Sequence, residues 1–274
     1  DGKALIAGVS HPSFPGPIMY RVLANGTMDP GFTTPVPDND VRSLSLRSDG
    51  VITAAGPFRN LSGVSRSYAA RLTSTGSLDA TVLPLPNARL FCQAMLPDGK
   101  LLIGGGFSVV GSSQRYRIAR LNANGSVDSG FNTGFFEDTP MIYCIAVQAD
   151  GKILVGGTYA SSTVTNRYYI SRHQANGALD TTFTTVVNGD VTSIALQCDG
   201  KISCSGDFTT VNGVARNKIA RLHADGTLDT TFNPDANATV EGTSLQADGK
   251  VIVNGRFSRV GRGNRDRIAR LLND

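Results

Sequence analysis

An Asp-Gly pair returns at Asp1, Asp49, Asp98, Asp150, Asp199 and Asp248, at intervals of 48, 49, 52, 49 and 49 residues. A second marker keeps step with it: RVLANGTMD from Arg21, RLTSTGSLD from Arg71, RLNANGSVD from Arg120, RHQANGALD from Arg172 and RLHADGTLD from Arg221. The chain stops inside a sixth version, RLLND, from Arg270. A fixed period of this size, kept from end to end, belongs to propellers and solenoids, in which each copy buries an apolar face that it cannot bury alone.

Around Asp199 four short runs read as strands: VTSIALQ (191–197), KISCSG (201–206), NKIARLH (217–223) and TLDTTF (227–232). Their length and their Val, Ile, Thr and Phe content suit strands, and none is long or periodic enough for a helix. The first and second runs are separated by Cys-Asp-Gly, the third and fourth by Ala-Asp-Gly. Such triplets suit tight turns with glycine in the left-handed region. The links from second to third run and from fourth run to the next copy are longer. Antiparallel strands then place every tight turn at one end and every long link at the other. The copies differ most in those links, and function tends to sit on such loops.

These features predict an all-β chain, a single β-propeller domain over 1–274 with repeats starting near 1, 49, 98, 150, 199 and 248. The prediction is about six four-stranded blades, four of them complete (41–83, 89–131, 141–183 and 191–232). The first blade (1–32) lacks its first strand and the last (238–274) its fourth. A five-bladed ring with 248–274 projecting is the alternative, and a projecting edge would template pairing with another chain.

The chain resembles the bacterial delta-60 repeat family. The resemblance is carried by S-I-A-L-Q-x-D-G-K-I, by G-x-F-T-x-V-N-G-V-x-R-N, and by I-A-R-L-x-x-D-G-x-L-D-x-x-F-N-P. It implies a β-propeller from large, mostly secreted or surface-attached bacterial proteins, with no known enzymatic activity and hence no catalytic residues to transfer. The first copy, AGVSHPSFPGPIMYRVL, departs furthest, lacking the Phe and the Asn-Gly of the link. A weaker similarity joins the Asp-Gly-Lys element to WD-repeat proteins, although the chain has no Trp.

Net charge is +4, with 26 Lys and Arg against 22 Asp and Glu. Five of the six Lys stand in Asp-Gly-Lys, so they belong to the repeat rather than to a nucleic-acid patch. No apolar run reaches the length of a membrane span. The chain opens inside a repeat, which implies a trimmed or processed piece. Cys204 falls on a core position, Cys198 in a turn, and Cys92 and Cys144 share one register, where a disulfide would need close Cα atoms. No Cys or His spacing suggests zinc.

Charged residues recur in two registers. Arg71, Arg120, Arg172 and Arg221 each precede an Asp by eight residues: Asp79, Asp128, Asp180 and Asp229. Across a three-residue turn each Arg faces its Asp, which predicts a repeated structural ion pair. Arg66, Arg115, Arg167, Arg216 and Arg265 open the third run at the long-link end. They either form an anion-binding ring or hydrogen-bond loop carbonyls. Arg256, Arg259 and Arg262 add a basic patch in the last copy, a candidate partner contact. Phe135, Phe136 and Glu137 lie in the longest link, as a contact site or tucked onto a neighbouring blade.

Catalytic and metal readings are weak. NANGSVD (122–128) looks like a calcium loop, but an Arg stands in its first ligand slot. His11, His173 and His223 form no triad. Glu241, with Asp190 or Asp40, is the one acid arrangement that suggests a glycosidase. No catalytic residue, cofactor or metal is assigned. The first expectation is a non-enzymatic extracellular or cell-surface module that binds a protein partner or associates with itself. The alternatives are acidic-glycan binding at the long-link rim and a hydrolase using Glu241.

Overall fold

A computed structural model describes residues 2–8, 19–79, 86–134, 141–160 and 167–272, the side chains of 159, 160, 167 and 168 excepted. Phe135, Phe136, Glu137 and His11 lie outside them. Among the described residues every regular element is a strand and every pairing is antiparallel. No described helix is long and apolar enough to cross a membrane. The chain divides into two compact units, Asp1–Gly130 and Phe131–Asp274.

The first unit holds a two-stranded sheet, Ala4–Ala7 with Met19–Val22, and two three-stranded sheets. These are Ser43–Leu46, Ile52–Ala55 and Ala69–Leu72, then Leu90–Met95, Leu101–Gly105 and Ile118–Leu121. The second unit holds three such sheets. They are Met141–Val147, Ile153–Ala160 and Arg167–His173; Asp190–Leu196, Ile202–Asp207 and Ile219–Leu222; and Val240–Leu245, Val251–Gly255 and Ile268–Leu271. In each the second run is central.

The tight turns follow from their triplets. Leu196 pairs with Ile202, and Gly200 N–H donates to Gln197 O at 2.9 Å with φ +84°. The long links hold more order than loops. Thr210–Val211 pairs with Val214–Ala215 across Asn212-Gly213, both with positive φ, as a two-residue hairpin of type I′ requires. Comparable small hairpins form at Asn60–Ser65, Val109–Gln114 and Arg259–Asn264. Each is tied to the link that precedes its sheet. Asn237 Oδ1 accepts the amides of Ser258 and Arg259 at 3.0 Å, and Asp38 Oδ1 accepts that of Arg59 at 2.8 Å.

Among the described residues the expected fourth strand does not form. After the turn a single bridge survives, such as Leu222 with Leu228 or Leu72 with Leu78. The cause is the next residue but one on the backbone. Asp229 Oδ1 accepts the amide of Thr231 at 3.0 Å, and Asp29 and Asp128 do the same to Gly31 and Gly130 at 2.9 Å. A short carboxylate that captures the amide two residues on bends the chain out of the ladder. The expected four-stranded blades are therefore three-stranded sheets with a bridge.

Within each unit, apolar faces of consecutive sheets meet. Cys144, Leu154 and Ile170 pack with Val191, Ile202 and Phe208, while Val41, Ile52 and Phe58 pack with Met19 and Phe32. Phe58, Phe107, Phe208 and Phe257, just past the central strand in four of the copies, are wholly buried, each stabilising by roughly 2–3 kcal/mol. The glycine before that Phe has a steric cause: a Cβ on Gly206 would lie 2.0 Å from Asp190 O.

Candidate binding face at the long-link end

The two charged registers serve different ends of the sheets. At the tight-turn end, Arg221 Nε donates to Asp229 Oδ2 at 2.8 Å, and Lys201 Nζ reaches the same oxygen at 3.3 Å. The guanidinium lies 4.5 Å from the centre of the Phe232 ring, and Arg221 is 1 % exposed. Arg172 repeats this with Asp180, Lys152 and Phe183, and its Nη1 donates to Ala224 O of the next copy at 2.6 Å. Arg120 and Lys100 share Asp128, and Arg21 and Lys3 share Asp29. In the remaining copy Val51 replaces the Lys, and Arg71 Nε stands 3.5 Å from Asp79.

These carboxyls are tuned to stay charged. Burial raises Asp229, but Thr231, Arg221 and Lys201 outweigh it and hold the carboxyl well below the usual range. Asp180 is held low by Thr182 first, then by Arg172 and Lys152. Asp29 is lowered to about 2, chiefly by Lys3. His173 is a core histidine. It is fully buried between Ser171 Oγ and Gly177 O, and burial depresses its pKa. None of the four cysteines is in a disulfide; Cys204 is buried and Cys198 exposed.

The second Arg register lies at the long-link end and braces it. Arg115, Arg216 and Arg265 each direct Nη1 to the carbonyl of the residue before, at 2.8, 2.7 and 2.8 Å, and Arg66 does so at 2.9 Å. Arg216 also reaches Thr230 O at 3.1 Å and is buried. The backbone of Arg167 opens its strand, opposite Ala160. In the last copy, Arg256 pairs with Glu241 at 2.8 Å, Arg259 donates to Gly261 O at 2.8 Å, and Arg262 is exposed.

The acids singled out above have other partners. Glu241 is bound to Arg256, as just described. Asp190 lies opposite Asp207 in the ladder. Burial, then the Asp207 charge, raises the Asp190 carboxyl, whereas Lys218 at 2.6 Å lowers that of Asp207.

A different set of residues converges in the first unit. Arg42, Arg59 and Arg89, with Asn39, Asp40, Pro57 and Tyr68, line a cleft of about 420 Å³ at the long-link end. Arg42 occupies a bulge: its amide donates to Ala55 O at 2.9 Å, the residue that Ser43 also faces. Bulges of this kind re-aim a side chain at a sheet end. Arg42 Nη2 stands 3.4 Å from Asp40. All three arginines are exposed. Sequence reasoning passed over them because they sit at positions where the copies disagree. The bulge residue is Arg42, Phe91, Tyr143, Thr192 or Glu241, and the residue two before it is Asp40, Arg89, Met141, Asp190 or Thr239. That disagreement, inside an otherwise regular repeat, was the available signal.

Five segments, 47–81, 96–131, 148–183, 197–232 and 246–274, match the family described as a domain of unknown function (DUF5122) beta-propeller. The chain belongs to this family. Its sheets are those of a β-propeller, as similar solved structures also show. The WD40 beta propeller domain of Doa1 is 18 % identical, with a TM-score of 0.59 over 92 % of this chain and 70 % of that one. A streptogramin B lyase is 17 % identical, with a TM-score of 0.56 over 93 % and 76 %. The extracellular domain of the putative hybrid two component system BT3049 from B. thetaiotaomicron is 16 % identical, with a TM-score of 0.55 over 98 % of this chain and 33 % of that one. At these identities the likeness is one of fold alone. No curated protein matches the chain.

Proposed function

We propose that this delta-60-like chain is a non-enzymatic extracellular binding module that meets its partner through the long-link end of its sheets. One contrast carries the reading. At the tight-turn end the repeated charges are buried in shared ion pairs, whereas at the long-link end Arg42, Arg59, Arg89, Glu241 and Arg256 are exposed and differ from copy to copy. A surface that varies on a constant scaffold is how loop-borne recognition is built. The extracellular setting is supported by the likeness in fold to the extracellular domains of a putative hybrid two component system and a putative one component system of B. thetaiotaomicron. Self-association through the same face is one form of this reading, and sedimentation over a concentration series reads it.

Blocking either end tests the proposal. A bulky maleimide on Cys198 covers the tight-turn end, and one on Val64→Cys, in a Cys198→Ser background, covers the long-link end. The expected result is that only the second abolishes retention of the chain on the extracellular material of its source. Retention lost only with the first label, or hydrolysis abolished by Glu241→Gln, overturns it.

A further inference from the structure

The cleft of the first unit combines cationic forks with hydrogen-bond acceptors. Three guanidinium groups face it against one carboxylate, Asp40. The side chains of Arg59 and Arg89 make no hydrogen bond or ion pair among the described residues, while Arg42 is held 3.4 Å from Asp40. Unpaired guanidinium forks match carboxylate and sulfate oxygens two at a time. Beside them stand groups that a bare anion does not need. Asp40 and Asn39 offer acceptors for hydroxyl donors, while Pro57 and the half-buried Tyr68, which packs against the core, complete the wall. A volume of about 420 Å³ lies in the usual range of small-molecule sites, roughly 300–1,000 Å³.

The backbone fixes these parts. Arg59 N–H is bound to Asp38 Oδ1, and Arg89 O accepts Gly106 N–H at 3.0 Å, so two of the forks hang from pinned main chain. Tyr68, just before the strand Ala69–Leu72, has φ +70°, held by its amide to Phe58 O at 2.8 Å and by Gly56 N–H to its own carbonyl at 3.0 Å. A non-glycine residue kept in this region is over-determined by its surroundings.

Resting on the binding-module reading, we infer that this cleft binds an acidic saccharide. Arg59 and Arg89 take its carboxylate or sulfate, and Asp40 and Asn39 its hydroxyls. An anion without donors, such as sulfate, would meet the Asp40 charge with nothing in return, whereas a sugar brings several hydroxyls beside its anionic group.

Calorimetric titration of the full chain tests this with five probes: trigalacturonate, a heparin-derived tetrasaccharide, maltotriose, inorganic sulfate and oligoglutamate. The first two separate carboxylate from sulfate recognition. The expected result is binding of at least one acidic saccharide, none of maltotriose, and weaker binding of sulfate and oligoglutamate. Arg59→Ala and Arg89→Ala should each weaken the saccharide about tenfold or more, as loss of one charge-assisted fork does. Arg265→Ala, which braces a link in the other unit, should leave it unchanged. Both cleft arginines are exposed, so an unaltered unfolding curve for each variant verifies that folding is not at issue. Absence of saccharide binding, equal binding of maltotriose or oligoglutamate, or insensitivity to both arginines overturns the inference. If it falls while a label at the long-link end still abolishes retention, the ligand class is wrong and the binding-module reading stands.

Discussion

Asn188 grips Thr209 at both ends of its amide: Oδ1 accepts the Thr209 N–H at 2.8 Å, and Nδ2 donates to Thr209 Oγ1 at 2.8 Å. The same oxygen takes the amide of Thr210, also at 2.8 Å. Asn188→Ala removes all three bonds from one hairpin. The expected loss is about 1–2 kcal/mol, mostly from amides left unsatisfied. Hydrogen exchange should accelerate at Thr209 and Thr210 before it does in the strand Ile202–Asp207.

Arg221→Ala should be among the most damaging substitutions in the second unit. It strips the buried Asp229 of one cation and Phe232 of its stacked partner, leaving Lys201 at 3.3 Å as the remaining ion pair. Breaking one side of a buried pair costs about 2–4 kcal/mol in this setting. Urea denaturation measures it, and Arg221→Lys should recover only part, because a single ammonium cannot reproduce the fork.

The depressed carboxyls set a direction for pH. Asp29, Asp128, Asp180 and Asp229 all titrate lower in the folded chain than an unfolded aspartate at about 3.9. The unfolded state therefore takes up protons first, and their contribution is complete above about pH 4 and drains away as pH falls through the folded values. The urea midpoint should be flat against these groups above pH 5 and drop steeply from pH 4 towards 2. Asp229→Asn should make that drop shallower.

Two glycines should fail for different reasons. Gly213 has φ +77° and open space where a Cβ would go, so Gly213→Ala costs only the conformational penalty, about 1–2 kcal/mol. Gly206 takes an ordinary φ but touches Asp190 backbone, so Gly206→Ala forces a backbone shift. It should cost more than 3 kcal/mol or prevent folding, as overpacking against main chain does. Equilibrium unfolding of the two proteins orders them.

Thiol labelling should be sharply uneven. Cys198 is exposed in a tight turn, whereas Cys92, Cys144 and Cys204 are buried and burial pushes the Cys204 thiol up to about 12. One thiol should react with a soluble disulfide reagent at neutral pH in the folded chain, and four once it is unfolded.

Much of this architecture is legible in the residues. The period places the sheets, the Asp-Gly and Asn-Gly triplets place the tight turns, and counting across a three-residue turn puts Arg221 opposite Asp229. The fourth strand misleads because TLDTTF has strand composition. What bends it is one Asp side chain competing with the ladder for an amide, and propensity does not weigh that competition. The small hairpin at Asn212-Gly213 was in plain view as a turn dipeptide between valines, but its length hid it inside a link. The cleft arginines are of another kind. Arg42, Arg59 and Arg89 come from three separate segments, and only the packing of two sheets brings them together.

The side-chain clamp from Asn188, Asn237 or Asp38 reaches forward from the end of one repeat to the hairpin of the next. Each hairpin is thus fastened by the copy before it, and what the clamp oxygen grips is main-chain amide. The side chains of a hairpin can be exchanged while that grip persists, so variety at this end costs the stitching between copies little.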